Sequence, residues 1–324
     1  MTQAAERQSI ERTRQPWVSV ATRDAIRHFA WGVGDNNPLW LDPDHARASR
    51  WGGLVAPPCL LYAVDETSVA PGHPTSRRVY KSVDWTFYDW VHEGSALELA
   101  AWQTGEQVVD GEVEQLGRVD FDVAGKGLVA TAQTICLRTT KPMLSTDDRP
   151  ELRYSGEQLN MIERTILDEA RCGTTSRTFE DVELGAALGP LIKGPLSIMD
   201  VVAWCSATSG VVDDDQGYSE GGLHAESATG PEQVSWIAQL LTDWMGDDGF
   251  LHRLNLELDE TPPLGATTTI TGRVISLDIE AGRPTARIEL LAENQHGAAT
   301  ARGRADIILP STEYGPVQLP IAPQ

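Results

Sequence analysis

The sequence predicts an α+β chain made of two tandem copies of one unit, each a long helix wrapped by a curved antiparallel sheet. Three observations carry that expectation. Segments with a helical apolar period are followed by runs with strand-like alternation. The same order of elements occurs twice. Landmark residues also recur at a near-constant offset: Phe29 with Trp204, Gly94 with Gly265, and Gly127 with Gly297, separated by 175, 171 and 170 residues. Two copies are too few for a solenoid, so a pseudo-symmetric pair is expected. Its units are residues 1–145 and 146–324, with the boundary near 142–150.

The elements follow in order. TRDAIRHFAWG is a helix that Thr22 is placed to cap. GDNNPLWLDPDHARASRWGG reads as a loop. In LVAPPCLLYAVDETSVA, Pro57 and Pro58 suit a helix start, and Leu60, Leu61 and Val64 give a long helix its apolar face. In SVDWTFYDW, Val83, Trp85 and Phe87 alternate with Asp84 and Thr86, the period of a half-buried strand. GSALELAAW and GLVATAQTICLRT continue the sheet. The connecting segment starts polar and proline-punctuated. Ser155 and Gln158 then spell a capping box before a helix with Leu159, Ile162 and Leu167.

The second unit begins near RTFEDVELGAALGPLIKGPLSIMDVVAWCSATSG, with Ser197 placed to cap a helix carrying Val201, Val202 and Trp204. A longer helix in GPEQVSWIAQLLTDWMG puts Val234, Ile237, Leu241 and Trp244 on one stripe. Strands are expected at FLHRLNLEL, GATTTITGRVISL, ARIELLAEN and GAATARGRADIIL.

Composition narrows the class. In 324 residues, 41% are hydrophobic and 23% charged, as in globular proteins and unlike collagen, coiled coils or disordered chains. Asp and Glu number 47 against 26 Lys and Arg, giving a net charge of −21. Such a chain repels a phosphate backbone, so no nucleic-acid partner is expected. No apolar run of about 18 residues predicts a membrane span, and the charged N-terminus has no secretory core. Cys59, Cys136, Cys172 and Cys205 are scattered without CxxC spacing. Reduced thiols in a cytoplasmic protein are expected, with no disulfide, metal or cofactor.

A long helix wrapped by a curved sheet is the hot-dog layout, and one segment makes it specific. FAWGVGDNNPLWLDPDHARASRWGGLVAPP resembles the signature of MaoC-like (R)-specific enoyl-CoA hydratases and FAS1-like dehydratases. Gly34, Asp35, Asn37, Pro38 and Leu39 match at the right spacing, and Ala46, Ser49, Gly53, Ala56, Pro57 and Pro58 continue the match. TFEDVELG, KGPLSIMDVVAW and GPEQVSWIAQLLTDWMGDDGF look like the C-terminal half of two-domain MaoC-like proteins. The similarity runs from about residue 18 to 312 and implies a double hot-dog.

That resemblance implies an acyl-thioester hydro-lyase. A carboxylate and an imidazole share acid and base duties on one water, while backbone N–H groups at the central helix start polarise the thioester carbonyl. The chain departs from the pattern twice. Trp40 occupies the histidine position, and indole offers one N–H and no base. In the second unit Gly210 stands where the aspartate belongs.

The candidate catalytic residues are Asp35, Asn37 and His45. Asp35 either faces a pocket or makes turn hydrogen bonds, and Asn37 braces the loop or touches substrate. His45 either packs on a helix or is the nearest substitute for the lost imidazole. Substrate contacts are expected from Trp40, Gly53, Ala56, Arg47 and Arg50, with Arg77, Arg78 and Lys81 completing a basic cluster for an anionic carrier. His224 lies over the second pocket or in a free loop, while His73, His92, His252 and His296 fall in loops or at strand ends. Asp213, Asp214 and Asp215 form a solvated loop or a metal site.

Three functions stay open. One is hydration or dehydration of a coenzyme A or acyl-carrier thioester. Another is ligand binding, or support of a partner hot-dog subunit, without hydration. The third is isomerisation or cyclisation of a bulky substrate, which ten tryptophans favour. Further homodimerisation is compatible with all three.

Overall fold

The computed structural model describes residues 8–9, 16–64, 77–139, 154–168, 176–208 and 227–323. The expected boundary at 142–150 therefore lies outside the described residues, as do Gly210, His73, His224, Cys172 and Asp213 to Asp215.

Among the described residues, ten strands form one antiparallel sheet. They are β1 (Gln8–Ser9), β2 (Arg77–Phe87), β3 (Leu97–Val109), β4 (Glu112–Val123), β5 (Gly127–Thr139), β6 (Ala187–Lys193), β7 (Phe250–Leu258), β8 (Thr268–Glu280), β9 (Arg283–Asn294) and β10 (Ala299–Ile308). The spatial order is β1-β3-β4-β5-β2-β7-β10-β9-β8-β6. Outward from the central β2–β7 pair the two sides correspond strand for strand: β5 with β10, β4 with β9, β3 with β8, β1 with β6. β3 begins at residue 97 and β8 at 268, 171 residues apart, matching the sequence offset. Each is entered through a glycine turn, Gly94 at φ 86° and Gly265 at φ 83°, which side-chain-bearing residues resist.

The helices are α1 (Arg23–Val33), α2 (Pro38–Leu41), α3 (Pro43–Ala48), α4 (Gly156–Leu167), α5 (Ile198–Thr208) and α6 (Gly230–Met245). Thr229 and Glu232 close a capping box at the start of α6, which is buried on every face apart from Asp243. It is the long wrapped helix of the C-terminal half. Of its expected counterpart, Pro58–Ala63 forms a 3-10 helix, and residues 65–76 lie outside the described set. The expected loop at 34–53 instead holds α2 and α3, each started by a proline behind an Asn or Asp cap.

The halves share one core. Trp85 on β2 faces Leu254 on β7, both fully buried. Above the sheet α1 packs on α5, with Phe29 and Trp204 centroids 5.7 Å apart. Those two residues are the matched pair of the sequence repeat. The approach is close, since a Cβ on Gly32 would lie 2.9 Å from the Ala207 side chain.

One expectation needs correction. The strand read at 82–90 begins earlier and ends at Phe87. The helix α4 forms with its Ser155–Gln158 capping box, yet Leu159, Ile162 and Leu167 meet no core, and Leu167 is 76% exposed. No helix among the described residues is long and apolar enough to cross a membrane.

Candidate active site

The motif loop begins where α1 ends. Gly34 adopts φ 72° and returns its N–H to the Ala30 and Trp31 carbonyls. The next residue, Asp35, is 4% exposed. Its Oδ1 accepts the Asn37 N–H at 3.0 Å, and Asn37 Oδ1 accepts the Leu39 N–H at 2.9 Å as the cap of α2. Asn37 therefore braces the loop, and one Asp35 oxygen does the same.

The C-terminal half holds this loop in place. Lys193, the last residue of β6, donates from Nζ to the carbonyls of Val33 at 2.9 Å and Gly34 at 3.2 Å, and to Gln239 Oε1 at 2.6 Å. Gln239, midway along α6, donates in turn to the Gly34 carbonyl at 3.4 Å. Sequence reading missed both residues. The available signal was a buried-helix pattern interrupted by Gln239, a polar group that needs a partner.

Trp40 is 1% exposed and packs 6.5 Å from Trp90, which meets Trp51 and Phe250 edge-on, each at 5.6 Å. Neither the Trp40 nor the Trp90 indole N–H has a hydrogen-bond partner among the described residues. Trp90 and Phe250, with Ala56, Pro57, Pro58 and Leu61, line a narrow apolar cleft of about 10 Å³, room for a single water. Ala56 lines this cleft and Gly53 does not.

The expected carbonyl-polarising N–H pair is not formed by the start of this helix. Ala56 already donates to the Val91 carbonyl at 2.8 Å, and Pro57 and Pro58 have no N–H. The first N–H of the helix itself belongs to Cys59. Burial pushes the Cys59 thiol up to about 12, against a hydrogen bond with Ser235, so it is not a nucleophile at neutral pH.

His45 lies on α3, where Asp42 caps the helix by accepting the His45 N–H at 3.2 Å. Its Nε2 is 2.5 Å from Asp247 Oδ2, across 202 residues of sequence. Asp247 follows α6, and the Trp51 indole donates to its carbonyl at 2.6 Å. Burial holds the Asp247 carboxyl above the usual range; the His45 hydrogen bond pulls it down and Asp248 raises it. The imidazole partner is therefore Asp247, a residue the sequence reading did not single out.

The basic cluster is only partly assembled. Arg47 is exposed and pairs with Asp44 at 2.7 Å. Arg50 stacks 4.5 Å over the Trp51 ring and donates to the Val317 carbonyl at 2.8 Å. The side chains of Arg77 and Arg78 are outside the described set. His252 Nδ1 sits 2.9 Å from the Phe87 carbonyl, and His296 is in the β9–β10 turn, as expected of structural histidines.

Comparison with known proteins defines the class. Residues 10–115 match the family model described as FAS1-like, dehydratase domain region. A UPF0336 protein of Streptomyces avermitilis is 43% identical over 42 residues, covering 13% of this chain and 28% of that protein. The matched segment spans about a quarter of the length of such curated relatives. A solved MaoC-like dehydratase superposes with TM-score 0.67 at 17% identity, covering 94% of this chain and 98% of the other. A conserved hypothetical protein of Mycobacterium tuberculosis, described as having a double hotdog fold, gives TM-score 0.58 at 12% identity, covering 97% of each chain. The chain has the double hot-dog fold that these solved structures share. Its N-terminal third matches the FAS1-like dehydratase region.

Proposed function

We propose that the protein is a hydro-lyase acting on an acyl thioester, as an enoyl-CoA hydratase or 3-hydroxyacyl dehydratase does. The observation that carries this reading is Asp35. It is a carboxylate 4% exposed, on the matching motif loop, with that loop clamped from the other half by Lys193 and Gln239. Asp35 holds the reacting water or hydroxyl, and His45 supplies the imidazole that Trp40 has displaced. Asn37 keeps the Asp35 turn in shape. Trp40, through Trp90, and Ala56 shape an apolar wall for the acyl group. Arg50, with Arg47, offers positive charge to the anionic carrier, coenzyme A or an acyl-carrier protein, on a chain of net charge −21. The reading includes two units at residues 1–145 and 146–324, a cytoplasmic setting, and assembly as a homodimer or with a partner hot-dog subunit.

The test is hydration of crotonyl-CoA and of longer and aromatic enoyl-CoAs, followed by loss of enoyl absorbance. Turnover of at least one substrate is expected. No turnover across that panel sinks the reading.

One observation favours a second reading, ligand binding without hydration. Trp40 fills the histidine position with a buried ring, and the helix start lacks paired free N–H groups. Under that reading the wild type is inactive and Trp40→His creates hydratase activity. Under the first reading Trp40→His adds little, because the imidazole is already supplied.

A further inference from the structure

We propose that His45 and Asp247 form an acid–base dyad assembled across the two halves, with His45 Nδ1 as the proton-accepting atom and Asp247 as the residue that positions it. The proposal rests on the hydro-lyase reading above.

Four observations support it. First, Nε2 lies 2.5 Å from Asp247 Oδ2; facing a carboxylate, which only accepts, Nε2 carries the proton, and a neutral ring then holds its lone pair on Nδ1. Nδ1 has no partner among the described residues, and the His45 side chain is 25% exposed. Second, both ends are fixed. Asp42 caps the helix under His45, and the Trp51 indole pins the Asp247 carbonyl.

Third, Asp247 is costly. It is 9% exposed, and its Oδ1 is buried without a partner. A buried carboxylate with one oxygen unsatisfied is not what stability alone selects, and such groups concentrate at sites of chemistry. Fourth, the dyad is linked to the cleft through Trp51, although neither His45 nor Asp247 lines it. Trp51 meets Trp90 of the cleft wall edge-on, and Asp247 precedes the wall residue Phe250 by three positions.

The other charges near the dyad are accounted for. Arg47 and Asp44 on the same helix pair with each other. Arg50 faces Asp248, and the Ser176 hydroxyl also donates to Asp248.

The step balances without another reactant. A water gives its proton to His45 Nδ1 as its oxygen bonds the β-carbon of the enoyl thioester. The C=C pair moves to the α-carbon as an enolate, and Asp247 stabilises the imidazolium. The imidazolium returns its proton to the α-carbon, so one water has been added. Dehydration runs the same path backwards.

The experiment has two arms on the full chain. In the ligand-free protein, ¹⁵N spectra of the His45 ring are recorded for wild type and Asp247→Asn. The expected result is a protonated Nε2 and unprotonated Nδ1 in wild type, with that preference lost in the variant. A protonated Nδ1 in wild type, or an unchanged tautomer in the variant, overturns the dyad. In turnover, Asp247→Asn and His45→Gln each lower kcat about 100-fold with KM little changed, and the double variant falls no further. Circular dichroism and thermal melts confirm that each variant folds. Unchanged kcat in His45→Gln, with activity lost in Asp35→Asn, overturns the dyad and leaves the hydro-lyase reading standing. A wild type with the expected tautomer but no turnover overturns the hydro-lyase reading, and with it the catalytic role of the dyad; the hydrogen bond remains.

Discussion

In the N-terminal half Pro58–Ala63 forms a 3-10 helix with no side-chain cap, while the C-terminal half buries a sixteen-residue helix behind an intact capping box. The strands around them correspond one for one. The halves differ in which side chains they bring to the candidate site. The N-terminal half contributes Asp35 and His45, and the C-terminal half contributes Lys193, Gln239 and Asp247, which hold them. A regular buried helix is a rigid anchor for a loop that another segment builds.

The contrast can be broken at several levels. The largest effect is expected where the halves share their core. Trp204→Ala, which removes the ring packed on Phe29, should cost about 3–5 kcal/mol and lower the urea midpoint. Loss of under about 1 kcal/mol would mean that α1 and α5 are not part of a common core.

Lys193→Met cuts the clamp without emptying the core. It removes three charge-assisted hydrogen bonds to Val33, Gly34 and Gln239, a cost of about 1.5–3 kcal/mol. Hydrogen exchange at residues 34–37 should speed up while that of α6 does not. Equal loosening of both would show that Lys193 supports the whole half rather than the loop.

The smallest effect is electrostatic, and its sign is set by Asp247. Burial raises its folded-state pKa above the ordinary value despite the His45 bond. Such a group contributes its stability fully below the unfolded pKa and loses it as pH rises through the folded pKa. Asp247→Asn stays neutral throughout. It should melt level with wild type well below pH 4 and higher than wild type at pH 7, even as its activity falls. A variant that melts lower than wild type only at pH 7 would show that the His45 hydrogen bond outweighs the burial cost.

Much of the architecture was legible in the sequence. Alternation in Val83, Trp85 and Phe87 marked β2, and the 170–175 offsets marked the duplication. β4 was not singled out because its alternation is clear only from Val119 to Val123, while Gln115 and Gly117 occupy inward positions nearer its start. β6 was hidden by Gly189-Pro190, a turn signature that an edge strand tolerates. The Asp35 loop was legible because its partners are local, at Asn37 and Leu39. Lys193, Gln239 and Asp247 were not, because each acts on a residue roughly 160 to 205 positions away, and no local pattern encodes such contacts.

The most direct measurement is the hydration rate of the best enoyl-CoA substrate in wild type and Asp35→Asn, two chains that differ by one ionisable group. The account predicts turnover in wild type and a loss of about 10²–10⁴-fold in the variant, with unchanged melting. Equal rates in the two proteins would contradict it.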